Sequence, residues 1–346
     1  MLIALFLFVL AIQLMKNGAK AIAPTIQGSR LFANGFSTLG AGWLGAYVVL
    51  SGSPIAAVSL GLFAGGALTK LQTFTMLSGS RLGASFVVLL VGFLYALRNP
   101  ARSRDESVGM GILALSLTAV VYLPGMLLGY ELLQTGVLDG IRWSASAEVL
   151  SVIDVVWGPV LDLLGNHLPG WLLLPLGLAA ILASFKLLDR VLPELDGERA
   201  AGRRERWLKR TWPMFFLGCL VATVTLSVSV ALTVLVPLAS RGYVKRDEAI
   251  PYIMGANITT LADTLVAAML TGNPVAVHIV LAEALGVSLV TVVYLAFLYG
   301  PIKRRVLAIN DWTIGTDRRL WLFVAIIFVM PLLLMLSGAL LGPLGS

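Results

Sequence analysis

An all-α integral membrane protein, a polytopic helical bundle with some broken helices, is the fold class this sequence predicts, and three observations predict it. Of the 346 residues, 58% are hydrophobic and 12% charged, with a mean hydropathy of +0.91; a soluble domain keeps about a quarter of its residues charged. The chain holds many apolar runs near the roughly 20 residues that cross a bilayer core, separated by short polar breaks, so roughly eight to ten embedded segments follow, some too short to span. The polar pattern of the first half then restarts in the second.

Read in order, the elements are a hydrophobic segment from Leu2 to Met15, an amphipathic stretch from Asn17 to Phe36, and a Gly- and Ser-interrupted region from Leu39 to Ala67. A helix from about Leu71 to Leu97 ends before Asn99-Pro100, where proline blocks continuation. Val108 to Tyr130 is a clear span, followed by a polar region. Leu172 to Leu188 is apolar again, a charged stretch runs to Arg210, and Trp212 to Ala239 is Ser- and Thr-rich. Ile250 to Leu270, Val275 to Tyr299 and a plain span from Leu320 to Leu341 complete the chain. Four units follow: a first membrane repeat (1–100), a connecting helix and outward region (101–168), a second repeat (169–300), and a loop with the C-terminal span (301–346).

The net charge of +7 and pI of about 9.7 do not mark a nucleic-acid partner, because the basic residues sit between apolar runs rather than along one face. The positive-inside bias explains them. Lys186, Arg190, Arg199, Arg203, Arg204, Arg206, Lys209 and Arg210 form one basic stretch, and Lys303, Arg304, Arg305, Arg318 and Arg319 another, so both read as cytoplasmic. Glu131, Asp139, Glu148, Asp154 and Asp162 against Arg142 alone read as outward-facing. Lys16, Lys20 and Arg30 leave the N-terminal orientation open. Cys219, the single cysteine, lies in an apolar run, which excludes an intramolecular disulfide and a Cys-cluster metal site. Met1 to Met15 lacks the basic start of a cleaved signal. The multi-pass cell membrane is the expected location, with the lipid bilayer as solvent and homo-oligomerisation left open.

The restart is an internal repeat. SGSPIAAVSLGLFAGGALTKLQTFTMLSGSRLGA from Ser51 lies over SVSVALTVLVPLASRGYVKRDEAIPYIMGANITT from Ser227 without a gap. Ser51 falls on Ser227, Ser53 on Ser229, Gly66 on Gly242, Lys70 on Arg246 and Gly79 on Gly255. Paired interruptions of hydrophobic segments point to a transporter's binding site. Each half offers a serine pair, Ser51 and Ser53 or Ser227 and Ser229, and a glycine-led polar step, Gly79 to Ser85 or Gly255 to Thr260. Irregular backbone at membrane depth is tolerated only where protein or a water-filled cavity covers it, so these breaks mark a cavity. A buried anion must meet many donors at once, since transferring a bare ion to a medium of low dielectric costs on the order of 20 kcal/mol. Serine hydroxyls, the Asn257 amide and free helix N-termini provide such donors without a charge that would trap the substrate. The same breaks free oxygens for a hard cation.

With these motifs the chain resembles the type II sodium/phosphate cotransporters and their bacterial relatives, whose halves each carry a QSSS motif followed at fixed distance by GANIGTT or a variant. The serine-to-glycine spacing agrees in both halves, GANITT spans Gly255 to Thr260, and LFLFVLAIQLMKNGAKAIAP resembles the family's opening. The resemblance covers about two-thirds of the chain. It implies inverted repeats, re-entrant hairpins and a substrate held where the halves meet. The implied activity is secondary active, sodium-coupled symport of inorganic phosphate. Departures are the glutamines, which fall on Leu50 and Leu226, the middle serines on Gly52 and Val228, and the first asparagine on Arg81. Another oxyanion or organic anion, proton coupling, and a passive channel remain the alternatives.

Candidate substrate-binding residues are therefore Ser51, Ser53, Arg81, Ser227, Ser229 and Asn257. Thr259, Thr260, Asp263 and Ser85 form a candidate sodium site, with sodium as coupling ion rather than prosthetic group. Arg81 is too costly to face lipid; either its fork holds the oxyanion or it pairs with a buried carboxylate such as Asp263. Glu283 is read as a proton-coupling group or a structural hydrogen-bonding one, and His278, five residues earlier, lies too far round the helix to pair with it. His167 is expected in solvent. The four serines could also be small residues for close helix packing. An enzyme is not expected, because the polar intramembrane residues form no His cluster, nucleophile–base pair or paired carboxylates.

Overall fold

The computed structural model describes residues 2–98, 104–191 without 142 and 144, and 210–341 without 226 and 241; these residues form helices and no strand. In chain order the helices are α1 (Leu2–Gln27), α2 (Gly35–Val49), α3 (Gly52–Ala64), α4 (Lys70–Ala84), α5 (Phe86–Arg98), α6 (Arg104–Gln134), α7 (Ala147–His167) and α8 (Leu173–Val191). There follow α9 (Thr211–Thr225), α10 (Val228–Thr233), α11 (Leu235–Ser240), α12 (Arg246–Thr259), α13 (Leu261–Leu270), α14 (Pro274–Phe297), α15 (Tyr299–Ile314) and α16 (Asp317–Leu341). Among the described residues seven helical stretches are long and apolar enough to cross a membrane, with shorter apolar helices at Gly52–Ala64, Thr211–Thr225 and Val228–Ser240. The all-α polytopic class is thus the one observed. The basic residues 199–209, Arg142, Asn99, Pro100 and Leu226 lie outside the described residues.

Four expected elements take a different form. Leu2–Met15 and Asn17–Phe36 are not two segments: α1 runs unbroken to Gln27, because Ala11, Ile12, Met15 and Ala19 keep one buried face across the polar pair Lys16-Asn17. Its Lys16 reaches Thr271 O at 3.3 Å instead of facing lipid. The helix expected from Leu71 to Leu97 breaks at Ser85 into α4 and α5. The polar region after α6 contains the amphipathic helix α7, docked on α1 by Trp157, whose ring stacks on Phe6 at 5.1 Å and whose Nε1 donates to Phe6 O. A further helix, α15, carries Lys303 to Arg305. Charge diluted the apolar spacing of both, so neither was expected from the sequence.

The repeat reappears as geometry at the sequence offset of 176 residues (51 to 227). Helices α2 and α9 have the same bounds under that shift, and α3 corresponds to α10 and α11 together. In the first half α2 lies so close to α4 that a Cβ on Gly42 would fall on Met76 O, and one on Gly79 on Leu39 O. In the second half Gly218 stands in the same relation to Tyr252 O, and Gly255 to Phe215 O. All four residue pairs are related by the offset, and no larger residue fits any of the four glycine positions. The turns also match. Gly66 and Gly242 have φ of +77° and +76°, accessible to glycine at no cost. The helices that follow begin alike: Gln72 accepts from the Thr69 amide at 2.9 Å, and Glu248 from the Lys245 amide at 3.0 Å.

The centre of the bundle is α6, whose Met110, Leu113, Leu117 and Val121 are fully buried against α9 to α12 and α14. It crosses α14 where Gly125 and Gly129 meet Gly286, again with no room for a side chain. Helices α4 and α12 each pack on both α6 and α14, while α1 lies along α8. Helix α16 packs on α2, leaving most of its apolar surface exposed, as a lipid-facing helix requires.

Candidate functional site

The two serine pairs sit where helices are interrupted. Between α2 and α3 the chain turns through Leu50, a left-handed leucine with φ 57°, a conformation that costs a side-chain-bearing residue roughly 1–2 kcal/mol. The next residue, Ser51, is extended and opens α3 without capping it. In the second half Ser227 opens α10 and does cap it, its Oγ accepting from Val230 N at 3.2 Å. These interruptions meet: Ser229 Oγ donates to Leu50 O at 3.2 Å. Ser51, Ser53, Ser227 and Ser229 line one cavity of about 200 Å³, together with Pro54, Phe185 and Lys186.

Behind the serine wall lies Arg81, 3% exposed. Its Nη1 donates to Ser53 Oγ at 3.3 Å and to Thr260 Oγ1 at 3.2 Å, its Nη2 donates to Thr264 Oγ1, and Asp263 Oδ1 lies 3.8 Å from Nη2. Of the two expectations for Arg81, this arrangement contains the carboxylate pair. The fork touches the cavity through Ser53 alone. Arg81 Nε and Asp263 Oδ2 are buried and without a partner, an arrangement rare enough in a protein interior to need a cause.

Asn257 and Ser85 belong to a second buried polar group, on α6. Asn257 Nδ2 donates to Thr118 Oγ1 at 3.0 Å, and Thr118 shares a hydrogen bond with Ser85 Oγ at 2.7 Å. Tyr122, one turn along α6, donates to Asn257 O at 2.8 Å. Asn257 and Arg81 are equivalent under the repeat, yet neither lines the serine cavity. Thr259 is turned back on its own helix, bonding Ala256 O at 3.2 Å. Thr260 and Asp263 are brought to Arg81; Ser85 and Asn257 are brought to α6. Sequence reasoning missed Thr118, Thr264 and Lys186. The Thr118/Tyr122 spacing of one turn on an otherwise apolar helix was the available signal for the first, whereas Lys186 was counted only as loop charge.

His278 and Glu283 do not meet. The imidazole Nε2 lies 2.6 Å from Ile141 O with Asp139 beyond its other nitrogen at 3.6 Å, and Glu283 bonds Ser78. His167 is exposed, and Cys219 is half-buried with its Sγ on Gly255 O at 3.4 Å.

The model of the Na+/Pi-cotransporter family matches residues 180–299, from within α8 to the start of α15, in agreement with the resemblance read from the motifs. That is about a third of the chain, and it contains Ser227, Ser229, Asn257 and Asp263. No curated protein and no solved structure matches the chain.

Proposed function

We propose that this chain, which carries a Na+/Pi-cotransporter family domain over residues 180–299, is a secondary active transporter that couples movement of inorganic phosphate to sodium. The observation that carries the reading is the shared cavity: two serine pairs, equivalent under one repeat, line a single space with a lysine at its edge. Residues 1–100 and 169–300 are taken as repeats of inverted orientation.

The hydrogen inventory suits an oxyanion. Ser53 Oγ accepts from Arg81 and Ser227 Oγ from a backbone amide, so both hydroxyl protons are free to point into the cavity. Lys186 adds a point charge that neutralises without bidentate capture. Ser229 spends its proton on Leu50 O, across the two halves; releasing that bond would let the halves part and add a donor. Sodium, as cargo, would take oxygens at the Arg81 end, where Asp263 Oδ2 lies buried and unpartnered beside Thr260. Two sodium ions make the symport of a divalent anion electroneutral and driven by the sodium gradient alone; a third adds one net charge, worth about 2.3 kcal/mol at about 100 mV.

Uptake of radiolabelled phosphate into proteoliposomes under an inward sodium gradient tests the reading. Uptake should concentrate phosphate, collapse with a sodium ionophore, and yield to arsenate before sulfate. Equal uptake in potassium, or equilibration without concentration, would reject sodium symport in favour of another coupling ion or a channel.

A further inference from the structure

Glu283 takes no part in the cavity and yet is wholly buried in the middle of α14. Its Oε2 lies 2.6 Å from Ser78 Oγ on α4, and its Oε1 has no partner. The Ser78 hydroxyl is also 3.0 Å from Phe74 O of its own helix. A hydroxyl has one proton to give. If Glu283 is ionised, two acceptors compete for that proton and a bare carboxylate oxygen is left in the interior. If Glu283 is protonated, its O–H donates to Ser78, Ser78 donates to Phe74 O, and each proton has an acceptor.

Charge counting gives the same answer. Arg81 faces this region from α4, one turn beyond Ser78, but its hydrogen bonds go to Ser53, Thr260 and Thr264 and its ion-pair contact to Asp263 of α13. Tyr122 is the titratable group facing it from α6, with its hydroxyl committed to Asn257 O. Helix α3 has no titratable residue, α12 holds its charges in the first turn and Tyr252 on Ala231 O, and Lys303 of α15 pairs with Asp247. On α14 itself His278 is bonded to Ile141 O. One guanidinium therefore stands against two buried carboxyls, and no described ion pair reaches Glu283.

We propose that Glu283 is a proton-binding site, its carboxyl protonated in the arrangement described and giving its proton to water when α4 and α14 part around it. The O–H electron pair stays on the carboxylate, and rebinding a proton restores the Ser78 contact. The proton site stands on its own geometry; its link to turnover rests on the transport reading.

Infrared difference spectra of the purified protein, without sodium or phosphate and from about pH 5 to about pH 9, test the site. A carbonyl band of a protonated carboxylic acid should titrate, vanish in Glu283→Gln and persist in Asp263→Asn. Absence of the band at every pH, or its persistence in Glu283→Gln, would overturn the site. Its removal by sodium at constant pH would assign Glu283 to the cation instead. Should Glu283→Gln fail to fold, Ser78→Ala keeps the carboxyl and must move the band's midpoint; an unmoved midpoint would overturn the hydrogen-bond argument. For turnover, the ratio of wild-type to Glu283→Gln phosphate uptake cancels the titration of phosphate itself. That ratio should change by about tenfold per pH unit on one side of the midpoint. A flat ratio alongside a titrating band would overturn the link to turnover, and loss of uptake by the wild type would leave the spectroscopic result standing.

Discussion

Replacing Arg81 by methionine should expose how much of this bundle's stability hangs on one buried cation. Methionine keeps most of the aliphatic stem and removes the guanidinium, and with it the bonds to Ser53, Thr260 and Thr264. Asp263, 8% exposed at its side chain, then keeps only its bond from Thr264 at 2.9 Å. Breaking a buried pair from one side costs about 3–5 kcal/mol, because the surviving charge is left without compensation. At 1.4 kcal/mol per decade, that is roughly two to four decades in the unfolding equilibrium. Replacing both partners by apolar residues of similar volume is often neutral, so Arg81→Met with Asp263→Leu should recover to within about 1.5 kcal/mol of the wild type. Equilibrium unfolding by SDS titration in mixed micelles reads all of these variants on one scale. The reasoning is refuted if Arg81→Met alone costs under about 1 kcal/mol, or if the double variant is no more stable than the sum of the two single ones. Arg81→Lys separates the second role: if the fork positions Ser53 for the anion, phosphate affinity falls while the charge, and most stability, is kept.

Ser53→Ala and Lys186→Gln should each raise the KM for phosphate about tenfold; Lys186→Gln should leave unfolding within about 0.5 kcal/mol of wild type, whereas Ser53→Ala also removes an acceptor from the buried Arg81 and should cost about 1.5 kcal/mol; uptake kinetics and SDS titration on the same preparations check this. Gly79→Ala and Gly255→Ala should be equally damaging, about 3 kcal/mol or more each, since each methyl meets a backbone carbonyl that cannot yield; unequal losses measured by SDS titration would deny the structural equivalence of the α2/α4 and α9/α12 pairs. Lys303 donates to Asp247 at 2.8 Å, which raises its pKa above the ordinary lysine value. Its contribution is therefore present below about pH 10.4 and fades as pH rises through the raised folded-state value. With both partners about a third exposed, it is worth under about 1 kcal/mol; alkaline unfolding of Lys303→Met should lack this slope.

Composition and run length determined the membrane bundle, because lipid excludes charge and unpaired backbone whatever the tertiary arrangement. The repeat was equally legible: Ser-x-Ser, the turn glycines Gly66 and Gly242, and the packing glycines Gly79 and Gly255 recur at fixed distance, the turn glycines because a positive φ demands them and the packing glycines because a neighbouring helix backbone leaves no room for a side chain. From that register alone the serine pairs could be matched to one another. Only tertiary structure decided what Arg81, Asn257, Asp263 and Glu283 touch. A carboxylate 182 positions from its guanidinium, 263 against 81, or 205 from its serine, leaves no periodic trace, since long-range polar contacts depend on how α4, α6, α13 and α14 pack and not on local propensity. The same holds for α7 and α15, whose apolar stripes were diluted by charge, and for Lys186, whose place on the cavity wall follows from how α8 packs against α3. Sequence showed which residues must avoid lipid; packing decided which partners they found there.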